Sequence, residues 1–194
     1  NRSITLESIA GQSATTQKIK TGNTSSLNLG LVAYYPFNGN ANDESGNGHD
    51  GNASGVTLSA DRFGTAGKAY SFDGTDDNIE VPETAGFEAN AHTISAWVLS
   101  PHRNAEILSK DGEDSGERQW SIDITPAGKF SGVIWTSQGK KDWGISSITL
   151  DVTRWYQITQ VWDGVTLSSY VNGALDTSIA AGGTLVAGNQ PLRI

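Results

Sequence analysis

The chain has 194 residues, 36% of them hydrophobic, with a mean hydropathy of −0.36, which suits one polar, soluble domain with a real core. A net charge of −8 and a pI of about 4.7 argue against a nucleic-acid partner, whose phosphates need Lys and Arg, and suit a cation. Cysteine is absent, which excludes disulfides and zinc–thiolate sites. Methionine is absent too, from which a processed or excised piece is expected, and no run is long enough for a membrane-spanning helix.

Residues 1–30 are rich in Ser, Thr, Asn and Gln, with one short alternation at Ile4-Thr-Leu6, and read as a linker or the tail of a preceding module. From Leu31 the texture changes. Leu31 to Phe37 is a β-branched and aromatic run interrupted by Pro36, as an edge strand is. Residues 37–51 are crowded with side-chain oxygens, and Gly39, Gly46, Gly48 and Gly51 let the backbone fold them inward. Such a loop is either a long polar turn or a site for a hard cation, which takes roughly 6–8 oxygens. Asp43 to Gly48 imitates the first half of an EF-hand loop. The imitation ends at the twelfth position, which is Ser54 where a bidentate Glu is required.

Short strands follow at 55–58, 69–72 and 79–81, with an acidic turn at Asp73, Asp76 and Asp77. In residues 93–99, Ile94, Ala96 and Val98 point one way and Ser95 and Trp97 the other. Trp120, Ile122 and Ile124 alternate in the same manner, residues 129–135 return, and 155–162 and 167–171 pair around Asp163-Gly164. Asn172-Gly173 marks a tight hairpin turn. Turn signals every ten or so residues, with no sustained helical period, indicate an all-β sandwich or barrel. The last residues, Pro191 to Ile194, open a strand, from which a domain truncated at its C-terminal end is expected.

Several fragments together resemble the laminin-G-like, concanavalin A-like lectin/glucanase domains of bacterial extracellular proteins. They are Val32 to Gly48, Ala69 to Gly74, Thr93 to Val98, Trp155 to Gly164 and Tyr170 to Gly173, and they cover residues 31–194. The resemblance implies a two-sheet antiparallel jelly-roll sandwich and a structural calcium ion near the first polar loop. It makes Asp43 the expected carboxylate ligand, with Asn38, Asn40, Ser45, Asn47 and His49 as further candidates, completed by an acidic residue from a later strand.

The resemblance also implies a secreted or cell-surface module that binds a polysaccharide or glycan without catalysis, within a larger chain and without membrane insertion. Sugar binding needs an aromatic platform and fixed polar groups. Trp143, in a polar stretch beside Lys141 and Asp142, is either an exposed platform or a loop tryptophan folded onto the core. Trp135, opposite Phe130 and Ile134, either lines the binding sheet or packs inward. Trp97, Trp120, Trp155 and Trp162 read as core. The acidic run at 111–118 reads as a solvated loop. Retaining glycoside hydrolysis needs two carboxylates about 5–5.5 Å apart, and Asp123 stands alone in its strand, so an enzyme is the minor alternative. An adhesive or protein-binding module without sugar affinity is the main one.

Overall fold

The computed structural model describes residues 4–12, 30–83, 87, 89–100, 103–112 and 118–194; for 4–12 and 141–145 it describes the backbone only. Among these residues all regular structure is β. The strands are β1 (Ile4–Gln12), β2 (Leu31–Tyr35), β3 (Asn52–Ser54), β4 (Thr57–Ser59), β5 (Ala69–Phe72), β6 (Asn78–Val81), β7 (His92–Leu99) and β8 (Ala105–Lys110). They continue with β9 (Trp120–Ile124), β10 (Lys129–Thr136), β11 (Gly139–Thr149), β12 (Tyr156–Trp162), β13 (Thr166–Val171), β14 (Ala174–Ala180) and β15 (Leu192–Arg193).

All pairings are antiparallel and make two sheets. The first runs β14-β13-β12-β7-β1-β5-β4, with β2 paired to β1 as well, and the second runs β11-β10-β9-β8-β15-β6-β3. Alternation sets which face each sheet turns inward. In β7, His92, Ile94, Ala96 and Val98 are buried while their neighbours are half-exposed, and Ile158, Gln160 and Trp162 repeat this in β12. From the second sheet Trp120, Ile122, Ile124, Phe130 and Ile134 meet them. Tyr35, Phe37, Phe130 and Trp162 are wholly buried, and aromatic side chains of this size dominate the energetics of such a core.

Three expectations change. Ile4–Gln12, taken as part of a linker, instead form β1, lying between β7 and β5 in the first sheet. Lys141, Asp142 and Trp143 are strand residues of β11, with Lys141 opposite Ile134 and Asp142 opposite Val133, rather than a polar loop. Trp97 and Trp155 are half-buried, whereas Trp120 and Trp162 are in the core as expected. Trp97 points away from Ile94 and Val98 and carries the Arg62 guanidinium 4.3 Å from its ring centroid.

Two local devices matter for the site. The β13–β14 hairpin turns at Asn172 and Gly173, with φ of 52° and 78°; two successive positive values are those of a type I′ turn. In β8 the register shifts between Glu106 and Leu108, so that Ile107 and Leu108 are both buried. That bulge sets Glu106 opposite Asp123 and Ser109 opposite Ser121.

Candidate functional site

The polar loop after β2 is organised around one carboxylate. Asp43 Oδ1 accepts the backbone N–H groups of Tyr34 and Ser45, each at 2.9 Å. Its Oδ2 accepts the Ser45 hydroxyl at 2.7 Å and the His49 N–H at 3.1 Å. Burial pushes this carboxyl up, but the four donors outweigh burial and hold it below the usual carboxylate range. Asn47 Nδ2 donates to the carbonyls of Leu31 and Val32, both at 2.9 Å, and the Tyr35 hydroxyl donates to the His49 carbonyl at 2.6 Å.

The structure thus brings Asp43, Ser45, Asn47 and His49 together, as a hydrogen-bonded clasp closing the loop on β2. Asn38 and Asn40 look elsewhere: Asn38 Oδ1 accepts Lys68 Nζ at 2.7 Å, and Asn40 Oδ1 accepts the Asn42 N–H at 2.9 Å. Donors, one of them a lysine, already point at these oxygens, so this arrangement does not fit a cation cage.

A better-suited donor set lies in the turn between β5 and β6. One carboxylate oxygen from each of Asp73, Asp76 and Asp77 falls within 4.8 Å of the others, and Asp73 and Asp76 are exposed. These carboxylates also shape the turn: Asp77 Oδ2 accepts the Asp73 N–H at 2.7 Å and Asp73 Oδ1 the Thr75 N–H at 2.8 Å. A cavity of about 310 Å³ lies beside it, lined by Thr75, Asp77, Arg103, Asn104 and Glu106 over Phe72.

The outward face of β8, β9 and β10 carries the richest mixture of groups. Asp123 sits between Glu106 of β8 and Ser131 of β10; the next row is Ser109, Ser121 and Val133, all buried. Beyond them the Trp135 side chain is half-buried on the side opposite Ile134, and the backbone N–H of Trp135 donates to the Gln119 carbonyl at 2.8 Å. Arg118 and Lys140 each place their charge 5.7 Å from the Trp135 ring centroid, close enough for cation–π attraction to hold the indole. Arg118 Nε is also 3.4 Å from Asp111 Oδ1.

Asp123 and Asp111 are perturbed. Burial, reinforced by the charges of Glu106 and Asp111 and opposed by the Ser121 hydroxyl and Lys140, pushes Asp123 up to about 6. Burial likewise raises Asp111, against the pull of Arg118. Of the predicted sugar-site residues, Trp135 is therefore on an outward face. The side chains of Trp143, Lys141 and Asp142 are outside the described set, although β11 brings their backbone beside Val133 and Ile134. The expectation of a lone Asp123 is corrected: Glu106 is its cross-strand partner, which a bulge in the β8–β9 pairing decides and spacing within one strand does not show.

Residues 73–194 match the family described as the concanavalin A-like lectin/glucanases superfamily. Among solved structures, domain 4 of AbnA, a GH43 extracellular arabinanase from Geobacillus stearothermophilus in complex with arabinotriose, superposes with a TM-score of 0.60 at 17% identity. That match covers 84% of this chain and 82% of the other. The binding domain of Botulinum Neurotoxin DC in complex with SialylT matches with a TM-score of 0.57 at 16% identity, over 79% of this chain but only 39% of its own. No curated protein matches the chain. With two antiparallel sheets and a family match over more than half its length, the chain belongs to the concanavalin A-like lectin/glucanase superfamily.

Proposed function

We propose that this is a non-catalytic carbohydrate-binding module of a larger secreted or cell-surface protein, taking a polysaccharide or glycan on the outward face of β8–β10. The observation that carries this is Trp135: a half-buried indole held by two cations, on the same face as Asp123 and Glu106. An aromatic face stacks on a sugar ring, and carboxylates held in place by serine hydroxyls pair with its hydroxyl groups. The shared fold of an arabinanase domain solved with arabinotriose and a toxin binding domain solved with SialylT supports the same role. Among the described residues no helix is long and apolar enough to cross a membrane.

A glycan array probed with this chain, followed by calorimetry on the best ligand, tests the proposal. Binding is expected, with Trp135→Ala abolishing it and leaving the fold melting cooperatively. An empty array together with capture of a protein partner favours the adhesive role, and release of reducing ends from a bound polysaccharide favours an enzyme.

Calcium belongs to the same proposal. The support for it is the carboxylate trio of Asp73, Asp76 and Asp77 on an acidic chain; these oxygens would hold the ion, which would brace the β5–β6 turn.

A further inference from the structure

We propose that the glycan taken on this face carries a free amine, so that an amino sugar is preferred to its N-acetylated or acidic counterparts. The inference rests on the glycan-binding role proposed above and narrows it to a ligand class. Its basis is the pairing of Glu106 with Asp123 across β8 and β9. Side chains directly opposite on one face have Cβ atoms about 4.5–5.5 Å apart, and like charges so placed repel. Each has a serine hydroxyl as its partner, Ser109 for Glu106 at 2.5 Å and Ser121 for Asp123 at 3.0 Å. Among the described residues neither carboxylate meets Lys or Arg at ion-pair distance; Arg118 is engaged by Asp111 and, with Lys140, stands at the Trp135 end.

An ammonium group, with three donors and a positive charge, satisfies both carboxylates at once. An acetamide brings a single N–H and no charge, and a uronate adds a further negative charge to Glu106, Asp111 and Asp123. Burial is the first cause of the raised Asp123 pKa; the charges of Glu106 and Asp111 add to it and Lys140 relieves it only in part, so Asp123 is partly protonated near pH 6 and an arriving ammonium expels that proton. Ser131, opposite Asp123, is four residues from Trp135, about 13 Å along an extended strand. The amine and the ring stacked on Trp135 therefore belong to different sugars of one oligosaccharide.

The test is calorimetry on the protein at pH 6 in 0.15 M salt, titrating a glucosamine tetrasaccharide, its fully N-acetylated counterpart and a tetragalacturonate. The glucosamine oligomer is expected to bind at least about tenfold tighter than the other two, and Glu106→Gln or Asp123→Asn to lose about tenfold of that affinity. Proton release should appear as a heat that differs between buffers and vanishes in Asp123→Asn. Glu106 is exposed, so its variant keeps the test readable if the Asp123 variant is unstable. Equal or tighter binding of the acetylated oligomer, or an amine preference that survives both substitutions, overturns the proposal. If the acetylated oligomer wins and Trp135→Ala abolishes its binding, the glycan role stands and only the amine preference falls. If none of the three binds, the amine preference falls, and the glycan role falls with it only if the array is empty too.

Discussion

Acidification perturbs two buried groups of this fold in opposite directions. His92 lies inside the sandwich, 5.8 Å from the Trp120 ring, with Nδ1 3.4 Å from the Ala89 carbonyl. Burial pushes its pKa down from 6.5 to about 4, only partly countered by that carbonyl. The unfolded chain therefore binds a proton that the folded chain refuses: stability is complete above pH 6.5 and is lost as pH falls toward 4. The gap, at about 1.36 kcal/mol per pH unit, amounts to about 3 kcal/mol. Asp123 has the opposite sign, because its folded pKa of about 6 exceeds the ordinary value of 3.8. Its contribution is complete below 3.8 and is lost as pH rises through 6, for up to about 3 kcal/mol. In the parent protein the two slopes nearly cancel between pH 6.5 and 4. Urea unfolding at pH 7, 6, 5 and 4 should then show Asp123→Asn losing about 3 kcal/mol more than the parent on acidification, and His92→Gln losing about 3 kcal/mol less. The remaining carboxylates are common to all three proteins and drop out of the difference. Parallel curves for the three would refute both the burial of His92 and the raised pKa of Asp123.

Removing the clasp with Asp43→Ala takes the acceptor from three backbone N–H groups and leaves the Ser45 hydroxyl only the Val32 carbonyl at 3.2 Å, and should cost about 2–4 kcal/mol in a denaturant titration at pH 7. Because the Asp43 pKa is depressed, the parent's advantage over Asp43→Ala should shrink as pH falls below 3.8, where an undiminished gap would show that hydrogen bonding to the ionised form is not its source. Chelator should lower the melting temperature, since an ion bound only by the native state stabilises it, and Asp73→Asn with Asp77→Asn should remove that sensitivity while Asp43→Asn leaves it. A melt indifferent to chelator and to added calcium ends the calcium proposal. Gly173→Ala meets no steric clash but places a Cβ at φ 78°, so it should cost about 1 kcal/mol, and a neutral result would argue against a type I′ turn there.

Local pattern sufficed wherever one residue's environment is set by its near neighbours. The period-two alternation of residues 93–99 and 120–124, and the Asn172-Gly173 turn, follow from backbone geometry acting over a few residues. Alternation even placed Trp97 opposite Ile94, Ala96 and Val98, so its half-exposure was legible although an aromatic in a strong strand invites a core assignment. Oxygen-rich loops are equally visible, but their use is not. Whether Asp43 meets a cation or four donors depends on the path of Tyr34 beside it, and whether Asp73, Asp76 and Asp77 converge depends on a five-residue turn closing on itself.

Only the tertiary structure decided register and partnership. The strand at Ile4–Gln12 is polar enough to read as linker, and it becomes a strand through its pairing with β5 and β7, whose partner residues lie 60 or more positions away. The facing of Glu106 and Asp123 depends on one bulge in β8, since a one-residue slip in a strand sends every side chain to the opposite face. Composition and periodicity thus determined that this chain makes a β-sandwich with an acidic, oxygen-rich surface. Which of its carboxylates share a face was settled by strand pairing, because hydrogen-bond register is a property of two strands and is written in neither one alone.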